Sequence, residues 1–152
     1  ENELKSSPYI QEAVCFGKDK PYMTAILNID MNSVGRWADK NRILYTEYSD
    51  LSRNPKVVEL IEQQVEQLMS KLSPQNRVKK FSILHKQFTA DQGELTRTLK
   101  IRRNFVEQKY KILLDGMYSD TQEVSLTSSQ TEFVEEEVSL RVIQLKIEQG
   151  VA

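Results

Sequence analysis

The chain has 152 residues, the size of one ordinary domain, and 39% hydrophobic content is enough for a modest core. A net charge of −1 at pH 7 gives no general attraction to nucleic acid or anionic lipid, so any basic site must be local. The single cysteine, Cys15, excludes an internal disulfide, and no apolar run approaches the ~18 residues that span a bilayer. The expected setting is cytoplasmic, with any membrane contact peripheral, at the inner face.

The opening ENELK reads as a helix already under way, ended by Ser6, Ser7 and Pro8, so the chain is expected to be a piece of a longer protein. Segments 10–17 and 22–30 are apolar runs separated by Lys18, Asp19, Lys20 and Pro21, which predicts two antiparallel strands joined by a tight turn. Cys15 falls inside the first run and reads as a small buried hydrophobe. Asp30 and Asn32 offer caps for a helix through Lys40, with Val34, Trp37 and Ala38 on one face and Trp37 as its core anchor.

Residues 41–53 read as polar and irregular, with Ile43, Leu44 and Leu51 covering the core. Asn54 followed by Pro55 is a helix start. From there Val57, Val58, Leu60, Ile61, Val65, Leu68, Met69 and Leu72 recur at spacings of three and four against Glu59, Glu62, Gln63, Glu66 and Lys71. This is the clearest amphipathic helix in the chain.

A third strand is expected over 78–86, where Lys79 and Lys80 are candidates to face an anion. His85 is the only histidine; sites needing two imidazoles are excluded, and it reads as a strand-end residue rather than a base. A loop over 88–93 leads into Gly93–Arg103, GELTRTLKIRR, and a helix follows over 102–118. The order of elements predicts an α+β fold: a small, mainly antiparallel sheet with helices packed on it. Beyond residue 118 the composition changes. Val138, Leu140 and Val142 alternate in one phase and Ile143, Leu145 and Ile147 in the other, which predicts a C-terminal β-hairpin with a bulge near Val142 and Ile143 and the acidic turn Val134–Glu137; a helix from Thr131 is the alternative.

In Gly93–Arg103 the basic residues Arg97, Lys100, Arg102 and Arg103 fall within seven positions. Lys100 sits near a loop-to-helix junction, where its amine can meet a phosphate or carboxylate in a positive local potential. A solvated helix start, with the arginines paired to neighbouring acids, is the plainer alternative.

Thr96, Thr98, Lys100, Ile101 and Arg103 also fit, in register, the pattern T-x-[ST]-G-K-[ILV]-x-R found near the C-terminus of adenylate-forming, AMP-binding enzymes. Together with residues 1–27 and 45–72, they resemble the C-terminal domain of bacterial long-chain fatty-acyl-CoA synthetases over residues 1–118. Leu99 stands where most of the wider family has Gly, as is usual in that branch. The resemblance implies a mobile lid domain over 1–118 with a C-terminal extension over 119–152. It implies Lys100 as the catalytic residue for ATP-dependent adenylation of a fatty acid, before thioester formation with coenzyme A. Arg97, Arg102 and Arg103 are candidates for phosphate contacts, and no metal site is expected within the chain. ATP, Mg2+ and coenzyme A would be bound mainly by an absent N-terminal domain, the expected partner. The lid of another acid:thiol or acid:amine ligase, or a small protein-interaction module, are the alternatives.

Overall fold

Strands β1 (Ile10–Phe16) and β2 (Met23–Ile29) pair antiparallel across the short turn in the computed structural model, which describes residues 1–131 and 134–145. Strand β3 (Val78–Ile83) lies beside β2 but parallel to it. That polarity requires a long crossover. It is supplied by α2 (Met31–Lys40), α3 (Tyr48–Arg53), α4 (Pro55–Ser70) and a 3₁₀ turn at Pro74–Asn76. A short sixth strand, β6 (Ile143–Gln144), pairs antiparallel on the far edge of β3, giving the order β1-β2-β3-β6. Two of the three pairings are thus antiparallel, and the fold is α+β as predicted.

Both faces of this sheet are covered, which is why β1 and β2 read as nearly continuous apolar runs. Ala13, Cys15, Ala25, Leu27, Ile29 and Phe81 face a core shared with α4 and α1 (Asn2–Lys5). Val14, Phe16, Ile26 and Leu84 face a second core. That second core is closed by α5 (Arg103–Lys109), α6 (Lys111–Met117) and the tail. The predicted helix over 102–118 is therefore two helices, broken at Tyr110, whose φ of −106° and ψ of 25° are not helical. Tyr110 is itself buried, and the break turns its ring inward.

Local signals explain most of the crossover. Asp30 accepts the Ser33 amide at 3.0 Å and caps α2. Asn54 accepts the Lys56 amide at 2.9 Å in front of Pro55 and caps α4. Trp37 packs against the first core while remaining half-buried. Residues 41–53 depart from the expected irregular stretch because Asp50 accepts the amides of Thr46 and Glu47, both at 3.3 Å, and starts α3. Ile43 and Leu51 are buried there, whereas Leu44 is 95% exposed and covers nothing.

The tail forms the expected hairpin, β4 (Glu123–Thr131) against β5 (Val134–Arg141), and the helical alternative is not taken over these residues. Its details differ from the sequence expectation. Val134–Glu137 lies within β5 instead of forming the turn, and the register irregularity falls between Ser129 and Thr131. The change of phase at Val142 and Ile143 marks a change of sheet. β5 ends at Arg141, and Ile143 pairs with Phe81 of β3. Ile147, invoked for the second phase, lies outside the described residues. Gly116 of α6 allows this packing, since a Cβ there would overlap the Val124 side chain.

Phe81 is fully buried on the central strand β3. Phe81→Ala should lower the unfolding free energy by about 3–5 kcal/mol, read from urea denaturation followed by Trp37 fluorescence. A loss under about 1 kcal/mol would contradict its place in the core.

Candidate active site

The segment after β3 is clamped before it reaches the basic loop. The buried Asn28 side chain of β2 donates to the Lys86 carbonyl at 2.9 Å and accepts the Phe88 amide at 2.8 Å. Phe88 is buried and meets the Tyr110 ring edge-on, with centroids 6.3 Å apart. The Glu94 and Leu95 amides then both donate to the Thr89 carbonyl, at 3.1 and 3.2 Å. Gly93 turns the chain at φ 80°, beneath the Phe105 ring, where a Cβ would come within 3.0 Å of the ring.

From this base rises a narrow hairpin. Leu95 and Ile101 pair antiparallel, the Thr96 amide donates to the Lys100 carbonyl at 2.8 Å, and the Leu99 amide donates to the Thr96 carbonyl at 2.9 Å. Arg97, Thr98 and Leu99 form a three-residue loop whose last member is left-handed, with φ 62° at Leu99. The Thr96 hydroxyl secures it, accepting the Lys100 amide at 3.1 Å and lying 3.1 Å from the Thr98 hydroxyl. Both threonines of the motif thus have a structural task. Leu99 occupies the position where the motif carries glycine, and its left-handed backbone gives the reason: glycine takes this conformation without the cost a Cβ imposes.

The four basic residues separate into two kinds. Lys100 and Arg97 are exposed at the hairpin, and neither side chain has a hydrogen-bond or ion-pair partner among the described residues. Arg102 donates to the Gly93 carbonyl at 3.1 Å and lies over the Phe105 ring at 5.1 Å. Arg103 reaches back to the Cys15 carbonyl and the Glu1 carboxylate, over the Phe16 ring. These two tie the hairpin and α5 to the body of the domain. Lys80, another candidate for an anion, donates to the Ser119 carbonyl at 2.9 Å and covers the Tyr22 ring. Among the described residues no group of three or more His, Cys, Asp or Glu could hold a metal ion, and no helix is long and apolar enough to cross a membrane.

Residues 1–122 match the family of AMP-binding enzyme C-terminal domains. The chain belongs to this family. A long-chain-fatty-acid–CoA ligase of Mycobacterium tuberculosis, FadD15, is 32% identical over 120 residues, which are 78% of this chain and 20% of that protein. The rat long-chain-fatty-acid–CoA ligase ACSBG2 is 44% identical over 48 residues, 32% of this chain and 7% of that protein. This AMP-binding C-terminal domain thus spans about a fifth or less of the length of these ligases. Its fold is similar to part of the adenylation domain of a carboxylate reductase from Mycobacterium chelonae, with a TM-score of 0.59 and 20% identity over 79% of this chain and 17% of that one.

Beneath the hairpin of this AMP-binding C-terminal domain lies a cluster that sequence reasoning missed. Glu94 is fully buried. Its carboxyl group accepts the Tyr110 hydroxyl and the Thr89 amide, the latter at 3.1 Å, and lies 3.3 Å from the Lys109 ammonium and 3.5 Å from that of Lys86. Burial pushes the Lys86 ammonium down to about 8 even though Glu94 favours its charge. Burial and the Glu94 carboxylate together raise the Tyr110 phenol. No spacing rule marks Glu94 out, because its partners come from β3's exit and from α5 and its end.

His85 lies next to this cluster and is 6% exposed, with no hydrogen-bond partner for either ring nitrogen among the described residues. Burial, then Lys86 and Arg53, lower its pKa to about 4 from 6.5. It is neutral in the folded chain at pH 7. As pH falls from 6.5 to 4, the unfolded chain takes up a proton that the folded chain refuses, so stability declines, by at most about 3 kcal/mol for this group. Urea midpoints at pH 7 and pH 4.5 should therefore fall further in the wild type than in His85→Leu, and equal acid sensitivity would exclude His85 as the cause. Replacing Leu99 by Gly should raise the unfolding free energy by about 0.5–1 kcal/mol, the left-handed penalty removed less the added entropy of glycine in the unfolded chain. A fall on thermal denaturation would show that the Leu99 side chain is needed for the hairpin.

Proposed function

We propose that this domain is the mobile lid of a long-chain-fatty-acid–CoA ligase and that Lys100 is its catalytic contribution. The observation that carries the proposal is the exposed Lys100 side chain, unengaged by the described residues and set at the closing position of a braced hairpin. Membership of the AMP-binding family and the likeness to fatty-acid ligases supply the reaction class.

In that reaction a fatty-acid carboxylate oxygen attacks the α-phosphorus of ATP. The bond from that phosphorus to the bridging oxygen breaks, and pyrophosphate leaves with the electron pair. Two anions must approach one another, and the Lys100 ammonium offsets their repulsion as charge spreads over the transition state. Arg97, whose side chain has no partner among the described residues, is the arginine best placed to contact phosphate, while Arg102 and Arg103 act as braces. The second step, attack of the coenzyme A sulfur on the acyl carbonyl with loss of AMP, does not call on the lysine. A lid that turns away between the two steps reconciles both with one reacting centre. ATP, Mg2+, coenzyme A and the acid would be held mainly by the N-terminal domain of the complete ligase, so the isolated chain is expected to be inactive.

Lys100→Ala in the complete ligase should lower acyl-adenylate formation, measured as pyrophosphate exchange, by about two to three orders of magnitude, the scale for one preorganised charge. A rate near wild type would remove the lysine from the mechanism. Exchange supported only by acids of another class would point to a different acid:thiol or acid:amine ligase. Exchange with no acid would favour a protein-interaction module.

A further inference from the structure

Leu95 and Ile101 pack the Lys100 hairpin against the second core, but its tip stands clear of the domain. Arg97, Thr98, Leu99 and Lys100 are all exposed, and the loop is closed by bonds within itself, from the Thr96 amide to the Lys100 carbonyl and from the Leu99 amide to the Thr96 carbonyl. Its base is different. The Glu94 carbonyl accepts the Arg102 amide at 2.9 Å, which closes the hairpin from below, and the Glu94 amide donates to Thr89 at 3.1 Å. The Glu94 side chain meanwhile points into the domain and meets groups from three places: the Thr89 amide in the preceding loop, Lys86 after β3, and Lys109 and Tyr110 at the end of α5. Lys109 is held in turn by Gln92, at 3.1 Å. One residue thus joins the hairpin's backbone to the sheet side and the helix side of the second core.

We propose that Glu94 is the positioning residue for Lys100: its buried carboxyl group, shared by Tyr110, Thr89, Lys86 and Lys109, sets the direction in which the hairpin presents the lysine. This rests on the role given to Lys100 above. Glu94 touches no substrate in this proposal and acts only through the hairpin. A buried carboxyl group in a network of this kind favours one arrangement strongly, because every alternative leaves at least one donor or ammonium without its acceptor. A reacting group displaced by about 1 Å can cost about 100-fold in rate. The rigidity of the base therefore matters to the chemistry at the tip.

The test compares Glu94→Ala, Glu94→Gln and Tyr110→Phe. Glu94→Gln keeps the acceptor for Thr89 and removes the charge that the lysines share. Tyr110→Phe removes a single donor and serves if the alanine variant does not fold. In the 152-residue chain, hydrogen exchange at the Thr96 and Arg102 amides should quicken about tenfold or more in Glu94→Gln, while amides of the β1–β2 ladder keep their wild-type protection. Unchanged hairpin amides overturn the proposal. So does equal quickening of the ladder, which would make Glu94 a general stabiliser of the fold.

In the complete ligase, pyrophosphate exchange should fall about 10- to 100-fold in kcat in Glu94→Gln, with a smaller change in the KM for ATP and a milder loss in Tyr110→Phe. If Lys100→Ala abolishes exchange and Glu94→Gln does not reduce it, this proposal fails and the lysine's role stands. If Lys100→Ala is harmless, the lysine's role fails, and with it the assignment of Glu94 to that role, whatever the exchange of the hairpin amides.

Discussion

Ile26 and Leu27 are neighbours in the chain, face opposite sides of the sheet and are both fully buried. A sheet with no wet face must be covered twice. The crossover helices cover one side because a parallel β2–β3 pair demands a long connection in any case. The other side is left to α5, α6 and the tail hairpin, and the basic loop lies on the path between β3 and α5. The position of Lys100 follows from the need to close that second core.

The loop combines an ordered base with an open tip. Apolar and polar contacts both hold the base: Phe88 and Tyr110 pack edge to face, Asn28 clamps the chain on either side of Gln87, and Glu94 collects two hydrogen bonds and two ammonium groups. At the tip, Leu99 is 68% exposed in a left-handed conformation that a side chain adopts only at a cost. An ammonium carried on such a tip keeps its hydration and its freedom.

Charge alone would have misjudged the site. Four basic residues within seven suggest one positive patch, yet Arg102 and Arg103 are bound to carbonyls, a carboxylate and aromatic faces inside the domain. Arginine's planar fork suits that bracing, whereas a lysine is a point charge on a flexible stem. Among the described residues, Arg97 and Lys100 are the two of the four whose side chains have no partner.

Much of this was legible in the residues themselves. Two apolar runs around a charged turn specify the β1–β2 pair, Asn54 and Pro55 start α4, and the spacing of three and four identifies its buried stripe, because these patterns depend on neighbours close in sequence. The motif around Lys100 was likewise visible through its resemblance to the family pattern, whereas the hairpin and the left-handed Leu99 emerged only in the fold. What the tertiary structure decided involves partners far apart in the chain. The parallel alignment of β3 beside β2, the transfer of the tail from its own hairpin to β3 at Val142, the inward turn of Tyr110 and the buried seat of Glu94 each depend on groups brought together only by the closing of the second core. A carboxylate on the page looks the same whether water or two lysines will surround it, and burial, which tells them apart, is a property of the folded chain.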